Sequence, residues 1–399
     1  MMWKTRKSVS FCILVMTFLF SRPLVAQDTG QPLGSDSNIV YEMTGEAQIH
    51  RADWNSTAPS QPLSVADEVN NSDVIVPVNG TNVTILCADG SLVQVTKMME
   101  TPPCDTVAGN TVGRSLSDNL IDTALLNRGG EDVQLLITPN GKMLSNQPVF
   151  QWAAIKNATQ YQVVITQNGK LVWKKDYIVP AKVRKMDYPK DEAALAPGDY
   201  AVKIEALNIV GQPLSLDTPV TQITIVPEAV SKAILNSIKA PKVKSVNKSM
   251  MAYRTARVYA NNAFYADAIK TLEGALKINI PEGTNLTFKS DKPHSLRTGA
   301  MPYILLGNWY TKIDLSDYAA VAFRNALIVA QQFDQPENAA WASVQQAVLL
   351  TDLRQKYCGF ADGSKFFSSV FGSGSLVKQV QQQMADAVKA LGYEPTCVV

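Results

Sequence analysis

Residues 303–326 read YILLGNWYTKIDLSDYAAVAFRNA. Two apolar runs of helical period flank a turn at Ile313-Asp314-Leu315. Gly307, Ala319 and Ala326 recur where paired helices must approach closely, and Leu306, Tyr310 and Phe323 fill the space between them. The pattern predicts two short antiparallel helices, a packing unit with one open face and no catalytic apparatus.

A shift of 51 residues lays an earlier segment on this one: Ala256 on Gly307, Tyr259 on Tyr310, Ala268 on Ala319, Leu272 on Phe323 and Ala275 on Ala326. Self-similarity at fixed spacing marks stacked supersecondary units, each too small to bury its apolar face alone. The first pair is predicted at 249–261 and 265–278, and the second at 302–312 and 316–331. Further helices are expected at 228–239, at 336–357 with Pro336 at its start, and at 376–391, ending before Gly392 as a C-cap. Between the pairs, residues 281–297 carry Pro, Gly, Asn and Asp and read as an insertion.

This small–aromatic–small–large–small order resembles the tetratricopeptide repeat, whose period is about 34 residues, with the insertion accounting for the excess. The resemblance implies an all-α solenoid over 228–399, with a concave surface lined by first helices that receives a peptide or a partner protein. Residues four apart share a helix face, so Arg257 with Asn261, and Asn308 with Lys312, point the same way in successive units. Tyr253 and Ile304 extend that face by a turn. These six residues form the candidate binding groove, and its cations and amides suit an acidic or C-terminal segment held by charge-assisted hydrogen bonds. A solvated helix face is the alternative.

Upstream the period changes. Ala47-Gln-Ile-His-Arg, Val74-Ile-Val, Val83-Thr-Ile-Leu and Leu92-Val-Gln-Val are rich in β-branched residues, with turn chemistry at Asn79-Gly80 and Asp89-Gly90. A small all-β unit over 38–100 is expected. Gly45-Glu-Ala-Gln-Ile-His-Arg, the stretch ending in Asp73-Val-Ile-Val, and the strand with Asp89-Gly90-Ser91 resemble the FecR-type periplasmic domain, which implies a signalling or envelope-surface module. Residues 101–131, with Pro102-Pro103, read as linker containing one helical turn at 120–126.

A second β unit is expected over 132–227. Phe150-Gln-Trp152, Tyr161 to Ile165, Leu171-Val-Trp173 and Tyr200 to Ile204 are strand-like, and Asn168-Gly169 signals a hairpin. The stretch Leu195-Ala-Pro-Gly-Asp-Tyr200 resembles the corner of a fibronectin type III β-sandwich, where a Tyr entering a strand bonds back to nearby backbone. Trp152 and Tyr161 fall at that family's core aromatic positions. Trp173 is read as core or edge packing, with glycan contact as the alternative.

Lys4, Arg6 and Lys7 precede an apolar run from Val9 to Phe20, and Pro23-Leu24-Val25-Ala26 then meets polar Gln27. This is a secretory leader over 1–26, followed by a flexible segment over 27–37; the run is short of the roughly 20 residues a membrane span needs, and an uncleaved anchor is the alternative. Removing the leader's four basic residues from 37 leaves 33 against 35 acidic, so the mature chain is slightly acidic. Nucleic acid is not an expected partner. Seven Lys or Arg and no acid lie between Ala229 and Ala266, which reads as a solvated face or as a patch for anionic envelope polymer.

Cys87, Cys104, Cys358 and Cys397 remain after cleavage, an even count that reads as disulfides in an exported chain. Proximity pairs Cys87 with Cys104 and Cys358 with Cys397. No CxxC occurs and His50 and His294 are the only histidines, so no metal or other cofactor is expected. GxSxG, HExxH and P-loop motifs are absent from the sequence. The sequence therefore predicts an exported, periplasmic or extracellular, multidomain protein: all-β unit, β-sandwich, then helical solenoid. Its expected role is non-enzymatic protein–protein interaction or scaffolding, without a membrane span in the mature chain. A FecR-like sensor subunit is the alternative.

Overall fold

The computed structural model describes residues 38–50, 60–69, 73–88, 90–97, 104, 136–153, 155, 157–178, 185–214, 219–239, 247–282, 295–371 and 375–397. The leader, the segment 27–37, the helical turn expected at 120–126 and most of the insertion lie outside them.

The first β region holds two small antiparallel sheets. β1 (Asn38–Thr44), β4 (Glu68–Val69), β6 (Asn82–Leu86) and β7 (Leu92–Val95) are ordered β4-β1-β6-β7. β2 (Ala47–His50), β3 (Gln61–Leu63) and β5 (Val74–Pro77) are ordered β3-β2-β5. Val40, Ile49, Leu63, Ile75, Val83 and Ile85 close on one another as a core. Side chains alternate across a strand, and β1 is buried on both faces. Val40 joins that core, whereas Ile39 and Tyr41, with Leu86 of β6, join the core of the helices. A register shift between Val40 and Glu42 lets Met43 pack against the inner side again.

The second β region also has two sheets. β8 (Leu136–Thr138), β10 (Val149–Trp152) and β13 (Lys185–Asp187) are ordered β13-β10-β8. The other runs β12 (Lys170–Ile178), β11 (Gln160–Gln167), β14 (Gly198–Leu207), β15 (Val220–Ile225) and β9 (Gly141–Met143), antiparallel except for the final pair. Asn168 and Gly169 both take positive φ, 51° and 75°, the turn geometry that suits the twist of hairpin strands. Both sheets contribute to one core around Phe150, Trp152, Tyr161 and Trp173. Trp173 is buried between Phe150 and Tyr188, at centroid distances of 6.0 and 5.2 Å. Tyr200 donates from its hydroxyl to Ala196 O at 2.8 Å.

Eight helices follow among the described residues: α1 (Glu228–Ile238), α2 (Lys248–Asn261), α3 (Tyr265–Leu276), α4 (Met301–Lys312), α5 (Ser316–Gln332), α6 (Pro336–Leu349), α7 (Leu353–Phe371) and α8 (Ser375–Leu391). Each packs on its neighbours in chain order. Gly307 of α4 lies against the ring of Phe323 of α5, so the missing Cβ is what lets these two helices close. Tyr310 donates to Glu273 Oε1 at 2.8 Å, and the same oxygen accepts from Ile280 N at 2.9 Å, joining α4 to α3. Burial, together with the Glu273 carboxylate, raises the Tyr310 hydroxyl far above the usual tyrosine range.

One helix expectation is corrected. The run 336–357 is two helices, because Leu350 is extended and Asp352 starts a new helix by accepting from Gln355 N at 2.8 Å. The new helix folds back on α6, with Gly359 so close to it that a Cβ there would sit 2.8 Å from that of Ala347. Ser343 donates to Gly359 O at 3.0 Å in the same seam. Cys87 is bonded to Cys104 and Cys358 to Cys397. The second bond, with Tyr357 donating to Glu394 Oε1 at 2.6 Å and Arg354 to Thr396 O at 3.3 Å, straps the tail after α8 onto α7. No described helix is long and apolar enough to cross a membrane.

Candidate functional site

Residues 31–399 form one compact unit, and within it the first β region is seated on the helices. The contact centres on α2, where Arg254, Val258 and Asn261 form one stripe at i, i+4 and i+7. Arg254 Nε donates to Gly90 O at 3.1 Å, and Asn261 Nδ2 donates to Ala88 O at 2.9 Å. Both acceptors belong to the tight turn between β6 and β7, which is closed by Gly90 N to Cys87 O and Cys87 N to Ser91 O bonds, both 2.9 Å. Gly90 takes φ +86°, and a Cβ there would lie 3.0 Å from Val258 Cγ2. The Cys87–Cys104 bond begins at the turn's first residue. Arg254 also donates through its two terminal nitrogens to Ile238 O at 3.1 Å and Ser237 O at 3.2 Å, the unsatisfied carbonyl end of α1. One buried guanidinium thus joins the first β region, α1 and α2.

Beside this stripe, Ile39, Tyr41 and Leu86 share a core with Tyr253 and Ala256 of α2 and with α4 and α5. Arg257 is buried with its Cζ 5.8 Å from the Tyr253 ring centroid, a cation–π approach. Burial holds the Tyr253 and Tyr41 hydroxyls above the usual tyrosine range, and the Tyr303 hydroxyl is pushed up to about 12 for the same reason. On α6, Asn338 Nδ2 donates to Glu68 Oε1 of β4 at 3.1 Å. The first β region therefore reaches both α2 and α6, the first helices of the first and third pairs.

Of the six groove residues expected from sequence, Tyr253, Arg257, Ile304 and Asn308 are buried in or beside this shared core. They do not line an open groove in this structure, because the chain's own β region and neighbouring helices cover them. Asn261 is exposed but engaged with Ala88 O, and Lys312 is exposed at the end of α4. Arg254 and Val258 were not among the six. The basic stretch is also redistributed: Arg254 and Arg257 face inward, Lys232 pairs with Glu228 at 2.7 Å, and Lys239 and Lys248 stay exposed.

The second β region is held at different points. Asn140 Nδ2 donates to Ile313 O, the C-terminal carbonyl after α4, at 2.8 Å. Leu144 lies beside Ile234, Val258 and Phe264; its carbonyl accepts from Ser231 Oγ at 3.4 Å and its N–H bonds the carboxylate of Asp267. Burial raises the Asp267 carboxyl above the usual range, with Lys270 and the Leu144 bond acting the other way. A cleft of about 210 Å³ between the start of α2 and the residues before α4 is lined by Asn247, Ser249, Lys277, Arg297 and Thr298, with no carboxylate among its described lining residues. Among the described residues, no three His, Cys, Asp or Glu converge as metal ligands.

No protein-family profile matches the chain, and no curated protein matches it. Among solved structures, the apo form of RapI is similar at 11% identity over 41% of this chain, with a TM-score of 0.32. This chain spans 57% of the RapI chain. MamA is similar at 14% identity over 40% of this chain and 86% of its own, with a TM-score of 0.18. A family 76 glycoside hydrolase from a bovine Bacteroides thetaiotaomicron strain matches at 10% identity over 64% of this chain and 78% of its own, with a TM-score of 0.19. Likenesses this slight carry neither a family assignment nor an activity, so the functional reading rests on the chain's own geometry.

Proposed function

We propose that this is a non-enzymatic interaction or scaffold protein of the bacterial envelope, exported to the periplasm or beyond, that binds a protein partner through its helical repeats. The observation that carries the reading is chemical. The first-helix face uses an arginine and an amide to hold backbone carbonyls of another part of the polypeptide, and such donors recognise peptide backbone whatever its side chains. Chain-order packing of the helices and the Gly307–Phe323 approach support a tetratricopeptide-like solenoid over 228–399. The Tyr200–Ala196 bond and the Trp152–Tyr161 contact at 5.3 Å support a fibronectin-like sandwich over 132–227. A FecR-like unit over 38–100 remains the reading of its strand motifs. The leader sequence and the two disulfides support export.

The test uses the full-length protein, because its helices share a core with the first β region. Chemical crosslinking in the envelope fraction, with wild type against Lys312→Ala, is expected to yield a defined protein adduct that the substitution weakens. Turnover of an envelope polymer by the purified protein, with no adduct, would reverse the reading. The seat of the first β region on α2 and α6 also favours a second reading, a sensor subunit, since displacement of that region would reach the helices directly. Co-purification with a membrane-spanning partner in a stable complex would select it.

A further inference from the structure

We infer that the turn of residues 208–212, which follows β14, is an insertion tip for a lipid surface, with Ile209 and Val210 entering the boundary between headgroups and acyl chains. The inference goes beyond the interaction reading and is independent of it. β14 ends at Leu207, and the chain reverses within five residues. Asn208 N–H donates to Gln212 O at 2.9 Å, and Gly211 N–H donates to Asn208 O at 2.9 Å. The Asn208 side chain fills the inside of the turn, its Oδ1 accepting from Val210 N at 3.0 Å and from Gln212 N at 2.9 Å. Gly211 takes φ +77°, a left-handed conformation that glycine adopts without steric cost. Pro213 has no N–H to satisfy, and Leu214 N–H donates to Ala206 O at 2.9 Å. The turn therefore sets its own shape and bonds most of its own donors, and the two side chains it leaves outside are aliphatic. Ile209 is 82% exposed and Val210 71%, the highest values for large apolar residues among those described. Leu214 and Val220, on the same β14–β15 hairpin, are exposed as well.

Shape and chemistry select lipid over a protein partner. Apolar residues scattered singly over a surface are ordinary, but here two neighbours are held outward by an internally bonded turn. A stable protein interface needs about 800 Å² on each side, and its binding energy concentrates in Trp, Tyr and Arg. A five-residue turn is too small for the first, and Asn-Ile-Val-Gly-Gln has no aromatic or charged residue for the second. A fluid bilayer demands less. It accepts a convex apolar tip without a matching pocket, provided that the backbone entering with it is already hydrogen-bonded, because hydrocarbon offers nothing in place of water. Ile209 and Val210 supply the apolar volume, and Asn208 satisfies the backbone beneath them. Attachment through so short an apolar anchor is reversible.

The experiment is sedimentation of the purified full-length protein with phosphatidylcholine vesicles and with vesicles that also contain phosphatidylglycerol. Wild type is expected to bind both alike. Each methylene kept out of lipid costs about fourfold in partition, so Ile209→Ser combined with Val210→Ser should bind at least about tenfold more weakly. An unchanged thermal melt establishes that this variant folds. Leu235→Ser, at an exposed aliphatic of α1, should bind as wild type does. Asn208→Ala adds apolar surface but frees two N–H groups of the turn, so it should weaken binding, where general stickiness would strengthen it. In an Ile209→Trp chain the added fluorescence should be quenched by brominated lipid. Wild type that stays in the supernatant with both vesicles overturns the inference. So does a double variant that binds undiminished, or binding confined to the phosphatidylglycerol vesicles, which would make headgroup charge the cause. Crosslinking from position 209 to an envelope protein, without vesicle binding, assigns the tip to a protein pocket instead. The vesicles contain no protein, so each of these results leaves the interaction reading to its own test.

Discussion

Replacing Gly307 with alanine tests the helix pair at its closest point. In an open helix the change would be favourable by about 1 kcal/mol, because glycine is the poorer helix former. Here the new Cβ would lie 2.6 Å from Phe323 Cδ1 and Cζ and closer still to Cε1, where ordinary contact begins at 3.4 Å, so the ring must retreat by more than about 0.8 Å. Phe323 is fully buried, so the ring can move only by displacing its neighbours. Overpacking of this kind costs about 1–3 kcal/mol, and against the propensity gain we expect a net loss of up to about 2 kcal/mol. Urea denaturation followed by far-UV circular dichroism measures it. Phe323→Leu in the same chain should relieve the crowding, giving a favourable coupling of about 1 kcal/mol in a double-mutant cycle. A Gly307→Ala protein more stable than wild type by about 1 kcal/mol would refute the close approach.

Arg254→Ala removes the donor to three backbone carbonyls and leaves them facing a buried gap; losses of about 3–5 kcal/mol are typical for such a broken buried network, measured by chemical denaturation, and Arg254→Lys should recover only part because one ammonium lacks the fork that reaches all three. Asp267→Asn keeps an acceptor for the Leu144 N–H and removes a charge that burial disfavours. Because the folded carboxyl sits above its ordinary value, Asp267 contributes stability below the unfolded pKa and loses it as pH rises through the folded one. The asparagine variant should therefore gain most relative to wild type at neutral pH, with the gain shrinking towards pH 4, read from thermal melts across pH. Cys397→Ser with Cys358→Ser opens a loop with a sequence separation of 39, for which the chain-entropy relation gives about 4 kcal/mol; rapid hydrogen exchange in α8 should accompany the fall in melting temperature.

Local order was legible because each element carries its own signal. Asn168-Gly169 names a hairpin by backbone preference alone, and the spacing of Gly307, Ala319 and Phe323 names a helix pair. The break between α6 and α7 was not legible, since apolar period continues across Leu350 and the only stop is the Asp352 cap. The docked surface was missed for a different reason. Repeat logic selects residues with counterparts 51 positions on, and Arg254 falls there on Leu305. Its partners are carbonyls of Gly90, Ser237 and Ile238, and backbone acceptors leave no mark in a sequence. One clue was present in β1: Ile39-Val40-Tyr41 is apolar on successive positions, as expected of a strand buried on both faces, and the second face had to meet something.

That meeting is the central claim, and a photocrosslinker tests it directly. A benzophenone amino acid placed at Asn261 of the full-length protein, on the exposed rim of α2, should on irradiation give an intramolecular adduct that peptide mapping locates at residues 88–91. Adducts confined to α3 or to other molecules, with the 88–91 peptide unmodified, would contradict the seat of the first β region on the helices.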